Sequence, residues 1–255
     1  MFQAFVIVMR EGFEAFLIVS VIASYLQRTQ RQRLLPSVTW GVGVALALSG
    51  ALGAALAERG FDPLWEGILG LVAVVLVSTL VIQMWVHSRH LKQETEAKLE
   101  KLSTRPSRLA ALSVFVFTVL MVSREGVETV LMLVQIHDAA FVLGTAAGLL
   151  ATGLLVFLWM RCHHLINLRL FFQVTSVFLL LFLAQVLCYA LHEFSEAGLL
   201  PHSDAFHLAT EPYSPDGRYG RWFSVLTVAV CVGWLLVAWV RHRIQKLLDR
   251  PPAAK

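Results

Sequence analysis

Apolar residues in this chain come in long runs rather than alternating or recurring on one helical face. The runs lie at about Phe2 to Gln27, Val38 to Ala57, Pro63 to His87, Arg108 to Ile136, Ala140 to Met160, Leu168 to His192 and Tyr219 to Val240. Each is close to the roughly 20 residues that an α-helix needs to cross a bilayer. The pattern therefore predicts seven transmembrane helices in one membrane domain covering 1–255. RGFDP at 59–63 and HDAA at 137–140 break the runs sharply. Joints that short predict antiparallel neighbours on either side.

Composition supports this class and excludes others. Hydrophobic residues make up 57% of the chain and charged residues 15%, with a mean hydropathy of +0.69, far from a soluble domain. The net charge of +4 does not point to nucleic acid, because the basic residues sit in short segments between apolar runs. Cys162, Cys188 and Cys231 are too widely spaced for a thiolate metal motif and are expected to be structural. The first run is expected to stay in the protein, because residues 1–9 lack a basic stretch and charges interrupt the apolar segment.

Charge sets direction. The segments after runs one, three, five and seven, with Lys255, hold 16 of the 21 basic residues; Arg59, Arg218 and Arg221 lie on the other side. Since translocated loops are poor in Lys and Arg, the N-terminus is expected outside and the C-terminus in the cytoplasm. Nine acidic residues fall on or near the outer side, among them Glu58, Asp62, Glu66, Glu193 and Glu196, which predicts an outer face that attracts cations.

Arg10 and Arg124 are the two basic residues left over, and both lie inside apolar runs. Arg10-Glu11-Gly12-Phe13-Glu14 recurs as Arg124-Glu125-Gly126-Val127-Glu128, 114 positions later. By the loop charges the two copies cross the membrane in opposite senses. The chain is thus expected to hold two inverted three-helix repeats, about 1–90 and 108–193, joined by a cytoplasmic loop at about 88–107. An outer loop at about 194–218 and a seventh helix at about 219–240 follow. Such a repeat is typical of transporters with a site near the midplane. Glycines at 41, 43, 50 and 53 in the second run, and at 144, 148 and 153 in the fifth, match the pairing and suit close helix contact.

Within each copy the glutamates are three apart and share a face, while the arginine lies four before the second glutamate and can pair with it. At about 1.5 Å per residue both copies fall near the bilayer centre. Six unpaired charges there would cost on the order of 15 to 20 kcal/mol against lipid. They are expected to face inward, with Arg10 and Arg124 balancing two of the carboxylates. The remaining excess of two negative charges, Glu11, Glu14, Glu125 and Glu128 against two guanidiniums, suits a hard cation that prefers oxygen ligands.

With its two R-E-x-x-E motifs in the first and fourth of seven helices, the sequence resembles the high-affinity iron permease family, the oxidase-dependent iron transporters. The resemblance spans essentially the whole chain and includes WEGILGLVAVVLVS with Glu66, and HEFSEAGLLP at 192–201. It implies a plasma-membrane or bacterial inner-membrane permease that takes up iron, ferric in the oxidase-coupled systems, with the motif glutamates as ligands. It also implies an extracytoplasmic oxidase or iron-binding protein as partner. Iron is then substrate, and no permanently bound cofactor is expected. Partners are the iron ion, the lipid bilayer and that outer protein; a homo-oligomer stays open.

Glu66, His192, Glu193 and Glu196 are expected near the outer mouth, where they could relay cations inward. His163 and His164 follow the fifth run on the cytoplasmic side. HEFSE lacks the second histidine of an intramembrane metalloprotease, and the histidines avoid the span interiors where haem ligands would sit, so an enzyme is not expected. Another divalent metal such as lead or manganese, or a proton-coupled transporter on the same scaffold, stays open as the alternative.

Overall fold

The computed structural model describes residues 1–57, 63–87, 91–103, 107–136, 140–162 and 168–197, together with single positions between 222 and 237. It is all-helical, with no strand among the described residues. The helices are α1 (Phe2–Arg28), α2 (Leu35–Ala57), α3 (Pro63–His87), α4 (Leu91–Ser103), α5 (Ser107–Val134), α6 (Phe141–Cys162) and α7 (Leu168–Glu196). Six of these match the first six apolar runs to within four residues at either end. The seventh run lies mostly outside the described residues; positions such as Trp222, Leu226 and Val230 in it are helical. The chain is a helical, multi-pass membrane protein.

Side chains are sorted as a bilayer requires. Leu46, Val75, Leu120, Leu150 and Leu154 project outward from the bundle, where hydrocarbon solvates them. Trp40 and Trp65 are exposed near the N-terminal ends of α2 and α3, positions that the alternation read from the loop charges assigns to the two membrane surfaces, where aromatic belts are expected. The packed interior is shared by α1, α3, α5 and α7, with Ala4, Ile7, Val77, Met132, Phe178 and Leu183 in one cluster.

Two expectations about the scaffold are corrected. The predicted cytoplasmic loop contains α4, a polar helix whose Leu99 is fully buried against Ile22, Leu26, Ala110 and Val114 at the ends of α1 and α5. Its apolar positions are too sparse to form a run, so a search for membrane spans passes over it. Arg31 also bonds the Ser103 hydroxyl across this end. The second correction concerns the tight joints. Among the described residues, α2 and α3, and α5 and α6, are not packed neighbours. The extensive contacts are α2 with α5, α1 with α6, α3 with α7 and α1 with α5. A short joint fixes where the next helix starts but leaves its direction of packing to side chains.

That packing pattern is unchanged when α1 is exchanged with α5, α2 with α6 and α3 with α7. Individual contacts repeat as well. A Cβ at Gly41 would sit 2.9 Å from the Thr118 Cβ and 3.2 Å from the Phe115 carbonyl oxygen. At Gly144 it would meet the Met1 carbonyl oxygen and come 3.1 Å from the Ala4 Cβ. Met1 and Ala4 stand 114 positions before Phe115 and Thr118, the same offset as the motif. The contacts also show that α1 runs parallel to α6 and α2 parallel to α5, while α3 and α7 are antiparallel. These relative directions agree with the alternation read from the loop charges.

Candidate functional site

The site begins with two glycines. Gly12 faces Thr152 of α6, where an added Cβ would lie 2.9 Å from the threonine methyl; Gly126 faces Ser49 of α2, whose Cβ is 2.7 Å from the corresponding point. Neither position has room for a side chain. The motif helices therefore approach α6 and α2 backbone to side chain, with Gly12 and Gly126 turned to those partners. The Thr152 hydroxyl lies 2.9 Å from the Gly148 carbonyl and 3.3 Å from that of Val8, tying α6 to α1. Ser49 bonds the Ala45 carbonyl at 2.9 Å. These hydroxyls satisfy themselves on backbone carbonyls, which keeps them compatible with close packing in a membrane.

With the glycines so placed, the carboxylates converge. One oxygen from each of Glu11, Glu14 and Glu125 lies within 4.8 Å of the others, joining α1 to α5. Glu11 and Glu125 are buried, and Glu14 is 17% exposed in its side chain. The arginine of the first copy is enclosed: Arg10 pairs with Glu11 and, through Nη2 at 2.8 Å, with Glu14. Glu11 keeps one buried oxygen, Oε2, without a hydrogen-bond partner. An unpaired carboxylate oxygen in a protein interior is costly, and here it belongs to the same group of converging acids. Three carboxylates with one guanidinium form an oxygen cage of the kind that holds a hard cation.

The second copy is arranged differently. Glu128 is buried but stands outside that group of three; its Oε1 accepts a 3.0 Å bond from Arg124 Nε. Arg124 itself is 45% exposed, against 3% for Arg10. The expectation that all six charges face inward is corrected at this residue. A cavity of about 480 Å³, lined by Leu76, Thr79, Ser123, Arg124, Val127 and Glu128, opens beside it between α3 and α5. At position 13, the counterpart of Val127, Phe13 instead fills its surroundings. It is fully buried against Phe16, Trp159, Phe171 and Phe172, with the Phe171 ring centroid 5.5 Å away.

Toward the predicted outer side, the structure gathers a second polar group. Glu66, in the first turn of α3, accepts a 2.6 Å bond from the Tyr189 hydroxyl. That hydroxyl also interacts with Glu193, and His192 and Glu193 are both buried at the end of α7. Deeper along α7, Gln185 accepts a 3.0 Å bond from Gln3 of α1. Glu66 and Glu193 are thus brought together, but separately from the motif carboxylates. The Glu196 side chain and both His163 and His164 lie outside what is described. Sequence reasoning missed Tyr189. A tyrosine in an apolar run carries no signal of its own, although its place three residues before His192 puts it on the face of the HEFSE acids.

Comparison with known proteins bears on the family of the chain. The profile of the Iron permease FTR1 family matches residues 1–240. A ferrous iron permease EfeU of Escherichia coli O157:H7 is 39% identical over 217 residues, covering 79% of this chain and 76% of that protein. The corresponding protein of Yersinia pestis is 36% identical over 213 residues, covering 79% and 75%. A protein named putative inactive ferrous iron permease EfeU, of Escherichia coli K12, is 39% identical over 218 residues. No solved structure matches.

Proposed function

The chain belongs to the iron permease FTR1 family, and from that premise we propose that it moves iron across the membrane through the motif carboxylates. The observation that carries this reading is the meeting of Glu11, Glu14 and Glu125 from two helices, with a buried oxygen of Glu11 left unpaired. Ligands supplied by both repeats are what a transporter needs at a site that must face each side in turn.

Charge bears on the valence. Four carboxylates and two guanidiniums leave two negative charges, which a divalent cation cancels and a trivalent one overshoots. Excess charge in a low-dielectric interior is unfavourable. Its relatives bear names specifying ferrous iron. We therefore take Fe²⁺ as the transported form in place of the ferric iron implied by the resemblance to oxidase-coupled permeases. A periplasmic or extracellular protein that delivers the metal to the outer loops remains part of the proposal, as does the bacterial inner membrane as the site of action.

The steps follow from the residues. Glu66, Glu193 and the other outer acids raise the local cation concentration. The central carboxylates replace the hydration shell of the ion, and Arg10 limits the negative charge so that the ion is not held permanently. The moving units are cross-repeat pairs, because α1 is locked to α6 and α2 to α5 through glycine contacts. Motion of the α1–α6 pair against the α2–α5 pair parts the carboxylates while leaving those contacts whole.

Uptake of radiolabelled iron into proteoliposomes tests the reading. Glu11→Gln and Glu14→Gln are expected to abolish uptake of Fe²⁺ under anoxic conditions, and competition by Mn²⁺ or Pb²⁺ measures selectivity. Uptake at the wild-type rate in both variants overturns the central site, and faster uptake of Fe³⁺ than Fe²⁺ overturns the valence.

A further inference from the structure

An ion held by Glu11, Glu14 and Glu125 would lie in the seam between α1 and α5, and this inference rests on reading those carboxylates as the iron site. Further along the seam, toward the end that the loop charges assign to the cytoplasm, the lining turns apolar. Ile18, Val19 and Ile22 from α1, with Val114 and Phe117 from α5, belong to one hydrophobic cluster or pack against it. A cation cannot cross such a stretch without giving up its oxygen ligands, so the seam has to part there before the ion is released.

Helix α4 lies across that end. Its packing partners are α1 and α5, one from each of the two glycine-locked pairs. Leu99 enters the cluster with none of its surface exposed, while Ala97, Lys98, Glu100 and Lys101 on the same helix stay exposed. At the end of α4 the Ser103 hydroxyl accepts a bond from Arg31, in the turn between α1 and α2. That arginine is aimed by the way α1 ends. Its N–H bonds the Leu26 carbonyl at 2.8 Å, that of Gln30 bonds the Gln27 carbonyl at 3.2 Å, and Gln30 takes a left-handed φ of 59°. Helix ends of this kind usually carry glycine at the left-handed position. A residue with a side chain there is strained and has to be held by its surroundings. The bond from Arg31 to α4 is one such hold.

We propose that α4 is the inner gate of the permease, with Leu99 as its plug and Arg31 as its latch. Docked, α4 clamps α1 to α5 and keeps the cytoplasmic end of the seam shut. Undocked, it lets the two pairs part and the ion pass. The pocket for Leu99 is built from both α1 and α5, so it ceases to exist when they separate, and opening of the seam and release of α4 are one event. The dock is slight beside the glycine contacts along the α1–α6 and α2–α5 pairs, since it turns on one leucine and one arginine–serine bond. The polar remainder of α4 is at home in water, so the helix leaves the bundle exposing little apolar surface beyond Leu99.

A thiol beneath the plug tests this. Ala110 shares the cluster with Leu99 and is 2% exposed. Ala110→Cys is placed in the full-length chain with Cys162, Cys188 and Cys231 replaced by serine, and its reaction with a charged maleimide is timed in nanodiscs, with chelator or with Fe²⁺ alone under anoxia. Labelling is expected to be slow with chelator and about threefold or more faster with Fe²⁺, as the loaded protein visits the open state. Adding Leu99→Ala or Arg31→Gln is expected to speed labelling without Fe²⁺ by about tenfold or more. Fe²⁺ binding in these variants is expected to stay within about threefold of the parent, which separates an open gate from an unfolded chain. Should Leu99→Ala lose binding, Arg31→Gln, which leaves the apolar cluster whole, decides.

Labelling at one rate with and without Fe²⁺, in a protein that still takes up iron in proteoliposomes, makes α4 a fixed cap and overturns the gate. Labelling at the parent rate in both Leu99→Ala and Arg31→Gln overturns it as well. Glu11→Gln is expected to remove the effect of Fe²⁺ on labelling and to keep the effect of Leu99→Ala. If Glu11→Gln instead leaves Fe²⁺ binding and uptake intact, the iron-site reading fails, an outcome distinct from the other two.

Discussion

Two pentapeptides that differ only at their fourth residue, REGFE and REGVE, occupy opposed environments in one molecule. Around the first, Phe13 fills the space among Trp159, Phe171 and Phe172, and Arg10 is enclosed with both of its glutamates. Around the second, Val127 leaves a cavity, and Arg124 projects into it with a bond to Glu128 alone. The motif fixes which charges enter the membrane. The residues packed around it decide whether those charges are locked or free to move.

The sharpest way to break this comparison is to neutralise the two arginines separately. Removing one partner of a buried pair costs about 3 to 5 kcal/mol, because the other charge is left behind in the interior. Arg10→Gln is expected to approach that range. Arg124→Gln, whose guanidinium is half-exposed, is expected to cost less than Arg10→Gln, although it too leaves the buried Glu128 without its partner. Thermal unfolding in one detergent checks both, and equal losses would erase the distinction between locked and mobile copies.

Packing comes next. Gly126→Ala places a Cβ on Ser49, and overpacking of this kind costs about 1 to 3 kcal/mol. Gly12→Ala is expected to cost less, because the nearest atom is a threonine methyl at 2.9 Å rather than a hydroxyl in direct overlap. Ser49→Gly is expected to restore part of the stability of Gly126→Ala. Melting curves that show no rescue would mean that the loss arises elsewhere.

A third variant makes the second copy resemble the first. Val127→Phe inserts a ring into the cavity beside Arg124 and Glu128. With about 480 Å³ there, folding is expected to change by less than about 1 kcal/mol, while iron uptake falls because the space beside Arg124 and Glu128 is filled. Undiminished uptake would show that the cavity takes no part in transport. The smallest effect is expected at the outer group, where Tyr189→Phe removes one hydrogen bond from Glu66, worth about 0.5 to 1.5 kcal/mol. Its signature is a raised iron concentration at half-maximal uptake with an unchanged maximal rate.

Much of the scaffold was legible in the order of residues. Six apolar runs became α1, α2, α3, α5, α6 and α7 almost end for end, because a bilayer demands continuous apolar length and sequence records length directly. The repeat was legible because Arg-Glu-Gly-x-Glu is rare enough inside such runs to be noticed twice. Helix α4 was not, since Leu99 makes its buried contact from an otherwise polar segment. Neither was Tyr189, whose hydroxyl gains meaning only when α7 lies antiparallel to α3 beside Glu66.

By itself the sequence determined the class of protein, the helices that six of its apolar runs became, their alternation and the six charges set within two of them. These follow from local quantities, the run of hydropathy and the spacing of like residues along one helix. Only the tertiary structure decided that α1 packs on α6 and α5 on α2, that Glu125 rather than Glu128 meets Glu11 and Glu14, and that Arg124 opens onto a cavity while Arg10 does not. Those outcomes depend on the shapes of side chains from distant helices, Phe171 and Trp159 at one copy and Leu76 and Thr79 at the other. A pentapeptide repeated almost unchanged carries no record of neighbours that differ.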